Sequence, residues 1–294
     1  MLDVRRLRLL RELAHRGTIA AVADALAFTP SAVSQQLAAL EREAGVALLE
    51  RTGRKVVLTP TGRDLVTHAE AVLEILEQAS ADLAGAREGL AGPLRVGTFP
   101  SAARTLVPSA LAILAREHPR LEPMVEEIDP AQVADALRGG ELDVALEHDY
   151  DFVPSDPDAG LGSEPLLEER MYLAAPKDWK GEADHDPIRR WRNVPWIVAP
   201  PDMLCHSMVT RACQVAGFTP RIRHHIDDFA VVMAFVAIGQ GVAIVPRLGV
   251  VDTPPEVALT ELPMKRRTWV SFRRGASGHP AVGAFVSALS AVVS

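Results

Sequence analysis

Residues 17–41 read GTIAAVADALAFTPSAVSQQLAALE, and this stretch decides the fold of the N-terminal part. Thr29-Pro30 is a helix start: the threonine oxygen can accept from free N–H groups of the first turn, and proline there has no N–H to satisfy. Val33, Leu37 and Leu40 follow at i, i+4 and i+7 and must face inward. Ser31, Ser34, Gln35 and Ala38 follow the complementary spacing and face outward, with Thr29 and Pro30 at the helix start beside them. That face is short, polar and unbranched, which suits a major groove about 12 Å wide. Glutamine can make paired hydrogen bonds to an adenine edge, and serine can donate to or accept from several bases. A merely solvated helix face would carry the same spacing.

The surroundings extend the pattern. Val4, Leu7, Leu10, Leu13 and Ala14 make one apolar side of an earlier helix ended by Gly17, and Ala20–Ala27 forms a second, shorter one. The helix begun at Pro30 runs to about Arg42, before Gly45. Arg51–Thr59 has the turn Thr52-Gly53 followed by β-branched residues, which predicts a hairpin. Its Arg51, Arg54 and Lys55 can neutralise phosphates.

Charge divides along the chain. Residues 1–62 hold nine Lys/Arg against six Asp/Glu, whereas the remainder holds twenty-two against thirty-two, so a basic head sits on an acidic body, the whole chain carrying net charge −7. That asymmetry fits a small nucleic-acid module carried by a larger domain. Arginines at 5, 6, 8 and 11 interrupt any secretory signal, and the longest apolar run, Phe229–Ile238, is shorter than the roughly 20 residues a bilayer needs. The expectation is a cytoplasmic chain with no membrane partner. Cys205 and Cys213 fall on one expected helix, about 12 Å apart at 1.5 Å per residue, too far for a disulfide.

From residue 60 the texture changes. Leu65, Ala69, Val72, Leu76, Ala79, Leu83, Ala86 and Leu90 alternate spacings of four and three, a 3.5-residue seam. A rod of roughly 28 residues, about 40 Å long, either pairs with a second copy or lies on its own chain; the narrow seam with polar flanks (Arg63, Glu70, Glu74, Glu77) favours pairing. Gly89, Gly92 and Pro93 end it.

Beyond residue 90, strands and helices alternate. Leu94–Phe99, a helix Ala102–Arg116, Glu122–Ile128, a helix from Asp129-Pro130 to Gly139-Gly140, and Leu142–Leu146 predict a parallel sheet covered by helices. A Pro/Asp/Gly-rich stretch, Val153–Gly162, precedes a second set: Arg170–Ala175, Trp196–Ala199, a helix His206–Ala216, Arg221–Ile226, a helix Asp228–Gln240, Val242–Val245, Thr268–Phe272 and a helix Ala281–Val293. Two α/β lobes side by side leave a crevice where such sheets take ligands.

The run from Gly17 to Glu41 resembles the helix-turn-helix signature of LysR-type transcriptional regulators. The likeness continues through Gly45-Val46-Ala47-Leu48-Leu49-Glu50-Arg51 and Leu58-Thr59-Pro60-Thr61-Gly62, and at lower specificity through Gly139–Leu146 and Gly239–Arg247. It implies a winged helix-turn-helix head (1–59), a dimerising helix (60–90) and a two-lobed effector domain of the periplasmic-binding-protein type (91–294). Lobe I would comprise 91–164 and 262–294, and lobe II 165–261, with crossings near Glu147–Pro165 and Val251–Leu262. It also implies a homodimer or homotetramer on double-stranded DNA, contact with RNA polymerase, and base contacts from Pro30, Ser31, Ser34 and Gln35. Many members carry Gln-Pro and Arg where this chain has Pro30-Ser31 and Gln35, so base preference does not carry over.

In such regulators the effector is held by the loop after the first strand, the crossover and helix starts of the second lobe. Here those are Thr98, Ser101 and Ala102; His148; Asp202, Cys205 and His206; and Asp227 and Phe229. Ser101 before a helix offers free N–H groups and a hydroxyl, an anion pocket or simply a cap; the expected effector is therefore a small anion. His148 and His206 can pair with an anion or serve structure alone. No cofactor or metal is expected, because His224 and His225 are adjacent on a strand and point to opposite faces. No nucleophile elbow, Gly-rich phosphate loop or paired-cysteine motif is present, which argues against an enzyme. The alternatives are an effector-independent DNA-binding protein and a two-lobed enzyme with a DNA-binding appendage.

Overall fold

The computed structural model describes residues 1–294 apart from 53–54, 87–88, 155–157 and 159, and only the backbone of Lys55. Three helices build the head: α1 (Val4–Arg16), α2 (Ile19–Ala25) and α3 (Pro30–Ala44). Each start is capped by a side-chain oxygen, from Asp3, Thr18 and Thr29 respectively. Gly17 and Gly45 end α1 and α3 at φ 73° and 70°, the left-handed region where a side chain is strained. Leu7, Leu10, Leu13, Val22, Val33, Leu37 and Leu40 meet in one core. The hairpin is β1 (Leu49–Thr52) paired with β2 (Lys55–Leu58), register Leu49↔Leu58.

Thr59 caps α4 (Pro60–Gly85), 26 residues or about 39 Å at 1.5 Å per residue. The helix stops at Gly85 rather than near residue 90, so Ala86 and Leu90 lie beyond it. Its apolar seam also has two uses. Leu65 and Ala69 finish the head core, because α1 lies across the first turns of α4. Val72, Leu76, Ala79 and Leu83 remain exposed.

The body runs β3 (Ala91–Thr98), α5 (Pro100–Thr105), α6 (Val107–Glu117), β4 (Arg120–Glu127), α7 (Pro130–Gly139), β5 (Val144–Tyr150), β6 (Leu161–Pro176), β7 (Pro195–Val198), α8 (Leu204–Val215), β8 (Arg221–His225), α9 (Phe229–Ala237), β9 (Ala243–Pro246), β10 (Val257–Arg273) and α10 (Pro280–Val293). Two sequence expectations are corrected. The helix expected over 102–116 is two helices, broken where Pro108 starts α6. The sheet is mixed: in the order β4-β3-β5-β10-β6-β9 only β3 pairs in parallel, with β4 and β5. The pairs β5–β10, β10–β6 and β6–β9 are antiparallel, while β7 and β8 form a separate parallel pair.

The long strands β6 and β10 serve two cores. Val270 and Phe272 pack with Val96, Val144 and Phe285, whereas Leu262 and Met264 pack with Met171, Trp196 and Ile244. Between these cores β10 carries Arg266 and Thr268, and β6 carries Glu169 opposite Arg266. The polar residues thus sit where one hydrophobic cluster hands over to the next.

Head and body touch at one end of α7. Arg8 Nη2 donates to the Gly139 carbonyl at 2.6 Å and Arg11 Nη2 to the Arg138 carbonyl at 3.3 Å. Arg16 pairs with Asp135 at 3.0 Å. The last carbonyls of a helix have no intrahelical partner and carry partial negative charge, so guanidiniums are suited to them. The rod is held by Arg273, which donates to Glu77 at 2.9 Å, and by Gly275, where any Cβ would collide with the Glu74 carbonyl.

Candidate nucleic-acid face and effector cleft

Val33, Leu37 and Leu40 are buried, which rolls Thr29, Pro30, Ser31, Ser34 and Gln35 to the outside of α3, all exposed. The neighbouring Gln36 is tied down instead: its Oε1 accepts from Arg6 Nε at 2.9 Å. Arg51 is exposed on β1; Arg54 lies outside the described residues, and the Lys55 side chain is likewise not described. Phe28, exposed beside the start of α3, was not singled out by sequence; an aromatic just before Thr29-Pro30 was the available signal.

The second site is a cavity of about 160 Å³ between the two cores. Of the sequence candidates, Ser101, His148, Cys205, Asp227 and Phe229 line it. Four others do not. Thr98 and Ala102 are buried behind the wall, with Ala102 in the first core. Asp202 is exposed in the turn before α8. His206 spends its Nδ1 on the Ala199 carbonyl at 2.9 Å and stacks on His225, 6.0 Å between ring centroids. Helix α8 starts at Leu204, two residues before the expected His206, and this carries the histidine off the cleft wall.

Arg266 is the residue that sequence reasoning missed. Its side chain is 1% exposed, and its Nε donates to Glu169 Oε1 at 2.7 Å. It also donates to Ser101 Oγ at 3.1 Å and lies 4.9 Å over the Phe99 ring. Glu169 completes the pair by accepting from the Leu248 N–H at 2.7 Å. Met-Lys-Arg-Arg at 264–267 looks like a surface charge run. Period-two alternation through Met264, Arg266, Thr268 and Val270, all buried, was the signal that places Arg266 inside.

His148 stands on β5 directly opposite Thr268, edge-on to Phe99 (4.5 Å) and to Tyr150 (5.2 Å). Among the described residues neither ring nitrogen has a hydrogen-bond partner. Burial first, and the Arg266 charge second, hold its pKa well below 6.5, so the ring is neutral at pH 7. The Tyr150 hydroxyl lies 2.9 Å from Cys205 Sγ. Burial pushes the Cys205 thiol up to about 11.

The His148 environment sets a pH dependence. A histidine kept neutral in the fold but free to protonate when unfolded stabilises the protein above pH 6.5, and that contribution is lost as pH falls below it. Between pH 6.5 and 5.5 one such site contributes a slope of up to about 1.4 kcal/mol per pH unit. Urea unfolding of the His148→Leu variant is expected to show a shallower slope in that window; an unchanged slope removes His148 from the account.

Against known families, residues 4–63 match the bacterial regulatory helix-turn-helix protein of the lysR family, and residues 87–294 match the LysR substrate binding domain. The chain belongs to the LysR family. As a LysR-family member it is a DNA-binding transcriptional regulator with an effector-binding domain modulated by a small molecule. A probable hydrogen peroxide-inducible genes activator of Mycobacterium xenopi is 40% identical over 170 residues, 58% of this chain and 87% of that one. The transcriptional dual regulator GltC of Bacillus subtilis is 26% identical over 273 residues, 91% of this chain and 89% of its own. Among solved structures, a cysteine mutant of OxyR from Corynebacterium glutamicum aligns with TM-score 0.59 and 26% identity, over 100% of this chain and 92% of that one. Full-length CbnR complexed with target DNA, 23% identical with TM-score 0.55 over 99% and 100% of the chains, shares the fold.

Within this LysR-family chain no described helix is long and apolar enough to cross a membrane. Among the described residues no cluster of three potential metal ligands occurs either.

Proposed function

We propose that residues 1–59 read DNA through Thr29, Pro30, Ser31, Ser34 and Gln35, with Arg51, Arg54 and Lys55 on the backbone. In this reading residues 60–90 pair two copies into a homodimer, or a homotetramer, that acts on RNA polymerase in the cytoplasm. Residues 91–294 sense a small molecule in the cleft between lobe I (91–164, 262–294) and lobe II (165–261), without turning it over. The observation that carries the reading is the division of α3 into a buried aliphatic side and an exposed polar one. Phosphate contacts alone would position the protein without selecting sequence; base-edge contacts are needed for selection.

Gln35→Ala tests it. Loss of a paired contact to a base costs about 1–3 kcal/mol of discrimination. Competition of duplexes selected from a random pool against non-specific DNA is expected to show that loss, with the salt dependence of binding unchanged. Retained discrimination assigns the reading to other residues.

The peroxide-inducible relatives suggest a redox role for Cys205, but the site is unsuited to one. A thiol raised to about 11 is protonated at pH 7 and a poor nucleophile. Cys213 lies two turns further along the same helix, about 12 Å away by helical rise, beyond disulfide reach unless α8 unwinds.

A further inference from the structure

The charge of the cleft runs against an anionic effector. Glu127, Asp129 and Asp227 line the cavity, and the only cation among its described lining, Arg266, is already held by Glu169. Asp129 caps α7 by accepting from the Ala131 N–H at 2.8 Å. Asp228 caps α9 in the same way. Asp227 caps nothing: among the described residues its half-buried carboxylate has no hydrogen-bond or ion-pair partner. Burial first, then Asp129, Asp228 and Glu127, hold its pKa above the ordinary carboxylate value. Crowded carboxylates are relieved by a cation.

A second observation is independent of charge. His148, 5% exposed, lines the same cavity, and among the described residues both its ring nitrogens are unpartnered. A buried polar group without a partner is costly, and a ligand group can supply the missing bond. The remaining wall is apolar, from Phe99, Ile128, Leu204 and Phe229. The cavity, about 160 Å³, resembles in size the roughly 150 Å³ void that takes benzene.

We infer that this cleft takes a small organic cation: an ammonium group paired with Asp227 beside Asp129, on a short apolar body, about six non-hydrogen atoms in all, with His148 offering a further hydrogen bond. The inference rests on the cleft being the effector site. An anion of the same size would face three carboxylates with no free guanidinium to receive it.

Matched probes of opposite charge test it. Calorimetric titration of the full-length protein at pH 7 with n-pentylamine and with pentanoate, alongside thermal melts, is expected to show binding and a raised melting temperature for the amine only. Asp227→Asn is expected to weaken amine binding at least tenfold; Asp129→Asn gives the same direction should the first variant not fold. Tighter binding of pentanoate, binding of neither probe, or amine binding indifferent to both substitutions overturns the inference. Leu204→Trp, which fills the cavity, separates the two levels. Pentanoate binding lost in that variant keeps the cleft as effector site while refuting the cation. Binding of either probe that survives it places the ligand elsewhere and refutes the cleft reading itself.

Discussion

Glu169→Ala is expected to lower the stability of the effector domain by about 3–5 kcal/mol, the cost of leaving a buried charge without its partner. Both members of the Arg266–Glu169 pair have side chains only 1% exposed, so water cannot take over. The substitution also strips the Leu248 N–H of its acceptor. What remains for the guanidinium is the Ser101 hydroxyl, the Tyr150 hydroxyl and the face of Phe99, none of them an anion at neutral pH. Domains of this kind are stable by roughly 5–15 kcal/mol, so the loss is a large fraction of the whole. All four tryptophans lie in the body, which lets fluorescence-monitored urea unfolding report on this domain alone. A double replacement, Glu169→Leu with Arg266→Met, is expected to recover most of the loss, because removing both charges removes the desolvation penalty. If the double variant is as unstable as the single one, packing rather than charge explains the effect.

The second large effect belongs to the rod. Leu76→Asp is expected to dissociate a dimer built on the exposed stripe Val72, Leu76, Ala79 and Leu83. Burying a leucine is worth about 1.5–3 kcal/mol, and a symmetric interface loses two of them. The dissociation constant then rises at least about a hundredfold, before repulsion between the paired aspartates is counted. Sedimentation at micromolar concentration reads this directly, with the folded head as control. An undiminished dimer means the two copies meet on another surface.

What sequence revealed and what it concealed divide along contact range. The head was legible because its determinants are local: Thr18 and Thr29-Pro30 start helices, Gly17 and Gly45 end them, and the spacing of Val33, Leu37 and Leu40 orients the third. In the cleft, Ser101, Cys205, Asp227 and Phe229 line the cavity from helix starts, and His148 from the end of a strand, positions that local pattern can locate. Thr98, Ala102, Asp202 and His206 fall outside the cavity lining because element boundaries shift by a residue or two, and on a helix or strand that turns a side chain to another face. Arg266 and Glu169 are 97 positions apart, and their pairing depends on β6–β10 register that no local pattern reports. The seam misled for a related reason. Its spacing is even along its length, yet α1 covers its beginning, a tertiary fact invisible to periodicity.

Helix α7 begins at the cavity wall, where Asp129 and Pro130 stand, and ends under Arg8 and Arg11 of the head. Ten residues at 1.5 Å each make it about 15 Å long, and its internal hydrogen bonds leave it nearly incompressible. A molecule that displaces the Asp129 end therefore drives the opposite end like a pushrod. The head meets that end through three arginines, Arg8 and Arg11 on the Gly139 and Arg138 carbonyls and Arg16 on Asp135. Any shift of the Asp129 end would therefore be felt at the Arg8 and Arg11 contacts, because the helix between them is unbroken.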